Sequence, residues 1–311
     1  MPARVPITFW HWAGFICVIL IFLALDLGVF RRSYRIVKPK EALLWSAGWF
    51  FLAMLFAYGL AAWRGTDESL EFVTGYFVEF SLSMDNAVAI ALIFTSFGVA
   101  ARQQHRVLFW GVLGALVMRG TMIGLGTALI QNFRWVLYVM GAFLIFTGIK
   151  WGFSKQAAVQ PENNPVLRFA RKIFPVSSEG DGDKFLTWTN GRRALTPLAL
   201  VLLMVETTDL IFAVDSIPAI FAVTQKAFIV FTSNIFAILG LRSLYFAVTG
   251  AIQHFRFLKT GLAGVLIFVG AKMLAAPWYA MPTSLSLAVV AAIIALSMGL
   301  SILAVRREKK K

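Results

Sequence analysis

Long apolar segments separated by short polar connections run through most of the chain. Nine such segments lie at residues 9–29, 42–62, 72–97, 107–130, 135–153, 196–223, 226–250, 260–276 and 286–305. A helix of about 20 apolar residues spans the hydrocarbon core of a bilayer, which is about 30 Å thick. The pattern predicts an all-α, polytopic integral membrane protein with about nine transmembrane helices. The first segment is too long for a signal peptide and lacks a small-residue cleavage site, so we expect it to be retained.

Composition supports a membrane protein, and the placement of charge predicts its orientation. The chain has 311 residues, of which 59% are hydrophobic and 14% are charged, with a net charge of +14. Most Lys and Arg residues fall in alternate connections, namely 30–41, 98–106, 154–195, 251–259 and 306–311. Basic connections stay in the cytoplasm. This predicts an outside N-terminus and a cytoplasmic C-terminus in a bacterial inner membrane, and no nucleic-acid partner.

Two parts of the chain resemble each other in sequence. TALIQNFRW (127–135) matches TGAIQHFRF (249–257), and FLIFTGIK (143–150) matches VLIFVGAK (265–272). Upstream, Glu79 and Asp85 have the same spacing as Asp209 and Asp215. Each matching unit contains three predicted spans, so the second unit would enter the membrane from the opposite side. The sequence therefore predicts an inverted 3+3 helix repeat, the plan of many secondary transporters.

This repeat suggests how the chain is divided. We expect two N-terminal helices in 1–71, the first repeat in 72–153, a cytoplasmic loop in 154–195, the second repeat in 196–276, and a last helix with a basic tail in 277–311.

Polar side chains concentrate in the third and sixth spans. The candidate metal ligands are Glu79, Asp85, Asn86, Glu206, Asp209 and Asp215, with Ser81, Ser216 and Met84 as possible additional ligands. An acid at the centre of a span costs about 2.5–3.5 kcal/mol on insertion scales. We therefore expect these acids to face one another, a cavity, basic partners or a cation. Arg119 and Arg242, inside the fourth and seventh spans, are possible charge partners, but two arginines cannot neutralise five acids.

The spacing of the acids matters for a shared ion. In a regular helix, residues six apart lie about 120° apart around the axis and about 9 Å along it. One ion could then hardly touch both Asp209 and Asp215, or both Glu79 and Asp85. A broken helix could bring them together, and Pro218 favours a break in the sixth span because it removes a backbone donor beside Asp215.

The ligand types restrict the ion and the activity. Carboxylate, amide and hydroxyl oxygens suit Mg²⁺, Ca²⁺ or Mn²⁺. A zinc site is not expected, since the chain has one cysteine, Cys17, and three widely separated histidines. We find no GxSxG, HExxH or P-loop pattern, so we expect no enzyme activity and no prosthetic group.

Three segments also resemble a known family. GYFVEFSLSMDN (75–86), VETTDLIFAVDSIPAIFAVT (205–224) and TSNIFAILGLRSLYF (232–246) are similar to signature segments of the TerC family, which is named for tellurium resistance. Phe80 departs from the pattern, because many members carry a lysine there. The resemblance includes Alx-type manganese exporters.

The resemblance implies a membrane transporter that exports Mn²⁺ through these acids, and we expect coupling to protons. The alternatives are a Ca²⁺ transporter of the same architecture, or a non-transporting membrane factor in tellurite resistance, redox modulation or membrane-protein assembly. The expected partners are a divalent metal ion and the lipid bilayer; the oligomeric state is left open.

Overall fold

Ten helices and one hairpin make up the part of the chain that the structure describes. The structure is a computed structural model that describes residues 6–31, 39–153, 165–177, 182–189, 191–249, 258–279 and 281–308. Its elements are α1 (Phe9–Arg31), α2 (Pro39–Arg64), α3 (Thr66–Ser96), α4 (Ala101–Asn132), α5 (Val136–Phe153), α6 (Pro165–Ile173), β1 (Leu186–Thr189), β2 (Arg192–Leu195), α7 (Pro197–Phe221), α8 (Ala227–Thr249), α9 (Leu258–Ala275) and α10 (Thr283–Glu308). The prediction of an all-α polytopic membrane protein is confirmed.

Each of the nine predicted spans coincides with one of the long helices. Seven of the described helices, α2 to α5, α7, α8 and α10, are long and apolar enough to cross a membrane. In α1 the apolar stretch among the described residues, Phe9–Ala24, is shorter. The count of nine membrane crossings therefore stays a prediction.

The sixth predicted span is one continuous helix, so the expected break at Pro218 is wrong. α7 runs from Pro197 to Phe221 with Pro218 inside it. The proline lies in the last turn, so the helix has only three more residues after it, and the carbonyl that loses its donor is that of Val214. The missing donor therefore removes one hydrogen bond near the end without interrupting the helix. α3 is likewise unbroken from Thr66 to Ser96.

The centre of the bundle is formed by helices from both predicted repeats. α3 packs along α8, α4 packs against α7, and α2 lies across α3 and α8. α8 and α3 are the most deeply enclosed of the seven candidate spans, whereas α2 and α10 leave most of their apolar side chains exposed. Apolar side chains that face outward on a membrane protein contact lipid. α3, one of the two most polar spans, is therefore kept away from the hydrocarbon.

α5 and α9 approach so closely that glycine is required at the contact. A Cβ on Gly148 would lie 2.8 Å from the carbonyl oxygen of Ala263, and a Cβ on Gly270 would lie 2.7 Å from that of Gly141. The two contacts run in opposite chain directions, so the helices are antiparallel. In the register that matches FLIFTGIK with VLIFVGAK, Gly148 corresponds to Gly270 and Gly141 to Ala263. Each contact is thus the exchanged copy of the other.

A second reciprocal pair of contacts joins the remaining helices of the two repeats. A Cβ on Gly75 of α3 would lie 2.9 Å from the hydroxyl of Ser233 on α8, and a Cβ on Gly111 of α4 would lie 3.3 Å from Val205 on α7. The sequence matches pair Gly75 with Val205 and Gly111 with Ser233. A two-fold relation between the repeats would produce such exchanged contacts. The inverted repeat remains a prediction, and its match at 250–257 lies outside the described residues.

An ion-pair network closes one end of the bundle. Arg64 at the end of α2 donates to Glu68 at 2.8 Å, and Glu68 is almost fully buried. Lys226, in the connection between α7 and α8, binds Glu71 of α3 at 2.9 Å. The hydroxyl of Thr224 donates to the same Glu71 carboxylate at 2.8 Å. α3 is therefore tied to the α7–α8 connection at this end.

The segment predicted as a cytoplasmic loop, 154–195, folds against the opposite end. Its described part contains α6 and the β1–β2 hairpin, and β2 leads through Thr196 directly into α7. The side-chain amide of Gln103 on α4 donates to the carbonyl of Gly182 at 2.8 Å, and Arg102 pairs with Asp183 at 3.3 Å. The guanidinium of Arg106 lies over the ring of Phe185.

The α5–α9 contact gives a test of the packing. We expect Gly148→Val to destabilise the protein by about 1–3 kcal/mol, the usual cost of overpacking. The added side chain would meet the backbone of α9, which cannot move aside. The measurement is thermal unfolding of the purified protein in detergent. Gly124→Val on α4 is the matched control because a Cβ there meets nothing within 4 Å. Equal unfolding temperatures for the two variants would contradict the close contact.

Candidate functional site

Arg119 lies at the centre of the bundle and joins two of the predicted site acids. It projects from α4, is fully buried, and donates to Glu79 of α3 through Nη1. Its Nη2 and Nε atoms donate to the two carboxylate oxygens of Asp209 on α7, at 2.9 and 3.3 Å. The planar guanidinium suits this forked contact with one carboxylate while it binds another. Two acids from different predicted repeats thus share one cation.

Three further polar side chains surround this group. The amide nitrogen of Asn86 on α3 donates to Asp209 at 3.4 Å. Nη1 of Arg119 also lies 3.4 Å from the hydroxyl of Ser216 on α7 and 3.4 Å from the amide oxygen of Asn234 on α8. The cluster therefore draws on α3, α4, α7 and α8, and its members are all buried. We call these six residues the Arg119 cluster.

Regular helix geometry explains why these residues meet. Glu79, Ser83 and Asn86 are spaced i, i+4 and i+7, which places them on one face of α3. Asp209 and Ser216 are seven apart and share a face of α7 in the same way. These two polar faces lie opposite each other in the interior, where α3 packs against α7.

Several buried atoms at this site lack a hydrogen bond within the described residues. They include Oε2 of Glu79, the hydroxyl of Ser83, Oδ1 of Asn86 and Nδ2 of Asn234. Leaving a buried polar group unsatisfied costs about 1–3 kcal/mol. Three of these four atoms are oxygens on the same face of α3. These oxygen atoms lie in a row along α3, and hard divalent cations prefer oxygen atoms of this kind as ligands.

Asp85 and Asp215 lie apart from Arg119 and face the outer helices of the two repeats. Asp85 on α3 is electrostatically coupled to Lys259 of α9. Asp215 on α7 is close to Thr147 of α5 and coupled to Lys150 of the same helix. Because α3 and α7 are unbroken, the six-residue spacing keeps these acids on a different face from Glu79 and Asp209. The structure therefore separates the predicted acids into distinct groups.

Glu206 packs against a glycine of the neighbouring helix. A Cβ on Gly114 of α4 would lie 2.0 Å from the Glu206 carboxylate, so the α4 backbone passes directly beside it. Glu206 is one turn before Asp209 on the same face of α7 and is coupled to it electrostatically. It is half-buried and borders the Arg119 cluster.

The possible additional ligands take different places. Ser216 contacts Arg119 as described above. Ser81 donates its hydroxyl proton to the carbonyl of Phe77 at 2.7 Å, within its own helix. Met84 and Met204 pack in the apolar core. The sulfur atoms are thus used in packing in this conformation.

Of the two arginines proposed as charge partners, Arg119 binds two candidate acids and Arg242 lies elsewhere. Arg242 is buried near enough to His105 of α4 for their charges to interact. The reason is a one-residue offset: in the register that matches Thr127 with Thr249, Arg119 corresponds to residue 241 rather than 242. One residue turns a helix by about 100°, so the two arginines project in different directions.

Sequence reasoning did not name Asn234 and Ser83 as site residues. Asn234 follows Thr232 and Ser233 in an apolar span, and all three side chains are fully buried. Three consecutive polar residues in a membrane helix were a usable signal. Ser83 could have been found from its i+4 spacing to Glu79.

Within the part of the chain that the structure describes, no group of three or more His, Cys, Asp and Glu side chains is placed to hold a metal ion. A cation at the Arg119 cluster would therefore need amide and hydroxyl oxygens besides the carboxylates. It would also have to displace the guanidinium from Glu79 and Asp209.

The helical bundle and its buried polar centre define an integral membrane protein of the polytopic, all-helical class. The chain belongs to the TerC family of integral membrane proteins, whose family model matches residues 64–311. The resemblance inferred from the three segments is confirmed.

Relatives align over almost their whole length. The chain is 49% identical over 292 residues to "Uncharacterized membrane protein STKORF319" of Myxococcus xanthus, with 94% of this chain and 92% of the relative covered. It is 43% identical over 297 residues to "Putative membrane-bound redox modulator Alx" of Escherichia coli (strain K12), with 92% of each chain covered. A Rickettsia bellii membrane protein is 37% identical over 292 residues, with 94% of this chain and 97% of the relative covered. No solved structure matches the chain.

The buried position of Arg119 leads to a prediction for stability. Arg119→Gln leaves the Glu79 and Asp209 carboxylates buried without their cation, and breaking a buried pair in this way costs about 3–5 kcal/mol. Thermal unfolding in detergent measures the loss. Arg102→Gln is the control, since the Arg102 side chain is 58% exposed where it pairs with Asp183. An exposed pair contributes about 0–1 kcal/mol.

The same experiment has a second arm. Adding Glu79→Gln to Arg119→Gln should restore part of the lost stability, because one uncompensated charge is removed. If Arg119→Gln unfolds at the same temperature as Arg102→Gln, the central ion pair is not formed.

Proposed function

We propose that the chain is a secondary transporter that exports a divalent metal ion, with Mn²⁺ as the cargo, from the cytoplasm across a bacterial inner membrane. The observation that carries the proposal is the Arg119 cluster, a buried polar centre between helices of both predicted repeats. It combines the carboxylates of Glu79 and Asp209 with the amide of Asn86, and the neighbouring hydroxyl of Ser83 lies on the same face of α3. Within the described residues, one oxygen each of Glu79, Ser83 and Asn86 has no hydrogen-bond partner. Transporter sites characteristically lie where repeats meet near the midplane.

Arg119 acts as a tethered cation that competes with the metal. In the described conformation the guanidinium holds Glu79 and Asp209 together. A divalent ion that binds these acids takes its place, and Arg119 must then move toward other acceptors. Because the two cations exclude each other, metal binding favours a different arrangement of α4 relative to α3 and α7. Such a difference in affinity between two states lets a ligand shift a conformational equilibrium.

Asp85 and Asp215 extend the site toward α9 and α5. They occupy corresponding positions in the two repeats, and each faces the third helix of the opposite repeat. We assign them as metal ligands that are engaged when the repeats move relative to each other. Glu206, beside Gly114 and Asp209, and Glu79 are the candidate proton carriers.

Opening one end of the bundle is part of alternating access. The Glu71–Lys226 ion pair ties α3 of the first repeat to the α7–α8 connection of the second. By the charge distribution of the connections, this end faces the outside and the N-terminus is outside. The described conformation is then closed to the outside, and release of an exported ion requires this contact to separate.

Export against the membrane potential needs an energy source, and a proton gradient can supply it through the acids. Moving two charges against an inside-negative potential costs about 4.6 kcal/mol at 100 mV, from about 2.3 kcal/mol per charge. A passive pore would carry the ion inward. Exchange for protons, which compete with the metal for the same carboxylates, would drive export.

We assign Mn²⁺ as the cargo from the family resemblance, because the ligand chemistry does not distinguish it from Ca²⁺. Oxygen ligands suit Ca²⁺ as well as Mn²⁺. A thioether ligand would favour Mn²⁺, but Met84 and Met204 lie in the apolar core. Ca²⁺ is therefore the second cargo to test.

A membrane-bound redox modulator is the alternative, since the Alx relatives carry that name. Thiol exchange within one chain needs two cysteines, and this chain has only Cys17, an exposed residue of α1. A non-transporting factor would act through its connections, so shortening the chain within 156–164 would impair it more than changes to buried acids.

The proposal predicts metal flux that depends on the buried acids. Asp209→Asn should reduce Mn²⁺ flux in proteoliposomes under an imposed pH gradient to the level of protein-free vesicles, because a charged ligand is lost. The variant should still fold, since Arg119 keeps its contact with Glu79. Flux is followed with a fluorescent Mn²⁺ indicator, and Ca²⁺ is measured in parallel.

Glu41→Gln is the matched control, since Glu41 is an exposed acid in the first turn of α2. It should transport like the unchanged protein. Equal flux in Asp209→Asn and Glu41→Gln would contradict the assignment of the site. Absence of flux from all of them, with a phenotype that depends on 156–164, would support the non-transporting alternative.

A further inference from the structure

Outside the Arg119 cluster, the short helix α6 carries an exposed surface that is partly apolar and partly basic. Val166, Phe169 and Ile173 are spaced i, i+3 and i+7, so they share one face of this helix. All three are exposed, and Phe169 has 64% of its surface accessible. Leu167, by contrast, is buried against the bundle core. α6 therefore uses one side for packing and leaves a second apolar side uncovered.

Basic side chains occupy the remaining side of the same helix. Arg168, Arg171 and Lys172 are exposed and are spaced i, i+3 and i+4, which puts them together opposite the apolar face. The adjoining β1–β2 hairpin also carries an exposed apolar side chain beside a basic one. Trp188 is 69% exposed, and the guanidinium of Arg193 lies 5.7 Å from its ring centroid.

The surface is held firmly at one end of the bundle. Hairpin strand β2 pairs with β1 and continues into α7, and Thr196 caps α7 while it donates to the carbonyl of Lys184 at 2.8 Å. The contacts of Gln103 and Arg106 fix the same segment to the start of α4. The exposed apolar residues are thus carried at the level where two membrane helices begin.

We propose that α6 and the β1–β2 hairpin bind the anionic phospholipid surface of the adjacent leaflet. An apolar face flanked by Lys and Arg is the pattern of helices that lie in the membrane interface. Basic groups beside the membrane are attracted to anionic headgroups, and Trp favours the interface. Lipid is preferred over a protein partner because the surface combines basic charge with apolar side chains next to the ends of two membrane helices. The proposal is independent of transport.

A site-specific fluorophore tests the contact in the full-length protein. The only cysteine is removed by Cys17→Ser, and Phe169→Cys is labelled with the polarity-sensitive dye NBD. The matched control carries the label at Arg168→Cys, the neighbouring position on the basic side. Both proteins are placed in nanodiscs of phosphatidylcholine, with or without phosphatidylglycerol, where each face of the protein stays accessible to solvent.

With phosphatidylglycerol present, the label at Phe169→Cys should emit at shorter wavelength, be quenched by doxyl lipids, and be less accessible to acrylamide than the control label. Adding Arg171→Gln and Lys172→Gln, both exposed positions, should abolish the response to phosphatidylglycerol while thermal unfolding is unchanged. Three outcomes would overturn the proposal: equal acrylamide access at both positions, shielding that is identical in the two lipid mixtures, or shielding that requires an added soluble protein.

Discussion

An arginine shared by two carboxylates in the interior of a membrane bundle is the interaction on which the arrangement depends. In a medium of low dielectric constant, a buried charge without a partner of opposite sign is costly. Arg119 therefore fixes the relative positions of α3, α4 and α7 through Glu79 and Asp209. Two carboxylates against one guanidinium leave an excess negative charge. On the proposed function, a divalent cation replaces the guanidinium between these two carboxylates.

The acids of the site correspond between the two predicted repeats, whereas its arginine has no counterpart that projects in the same direction. Glu79 and Asp209 correspond in the two predicted repeats, and so do Asn86 and Ser216. Arg119 and Arg242 do not, because a one-residue offset turns them to different directions. Arg119 therefore binds acids from both predicted repeats, and Arg242 does not replace it there. We infer that, because of this asymmetry, an ion replaces Arg119 at one place rather than at two equivalent sites.

Much of the fold could be predicted from the sequence, because length and hydrophobicity decide which segments become membrane helices. The excess of acids and the choice of Arg119 as a possible charge partner were also accessible from the sequence, but not which acids it binds. The separation of the acids into distinct groups was not accessible, since it depends on how each helix is rotated about its axis. The expected break at Pro218 is wrong because, near the end of α7, the proline removes one hydrogen bond without breaking the helix. Asn234 carries no charge and lies in a span without acids, so the excess of acids does not point to it.

Equilibrium binding of Mn²⁺ to the purified protein tests the central claim most directly. The electron paramagnetic resonance signal of free aqueous Mn²⁺ falls as the ion is bound, so a titration reports affinity without any requirement for transport. The account predicts saturable binding by the unchanged protein and by Glu41→Gln, and loss of that binding in Asp209→Asn. Titrations that are the same for all three proteins would contradict a metal site formed around the acids that Arg119 now holds.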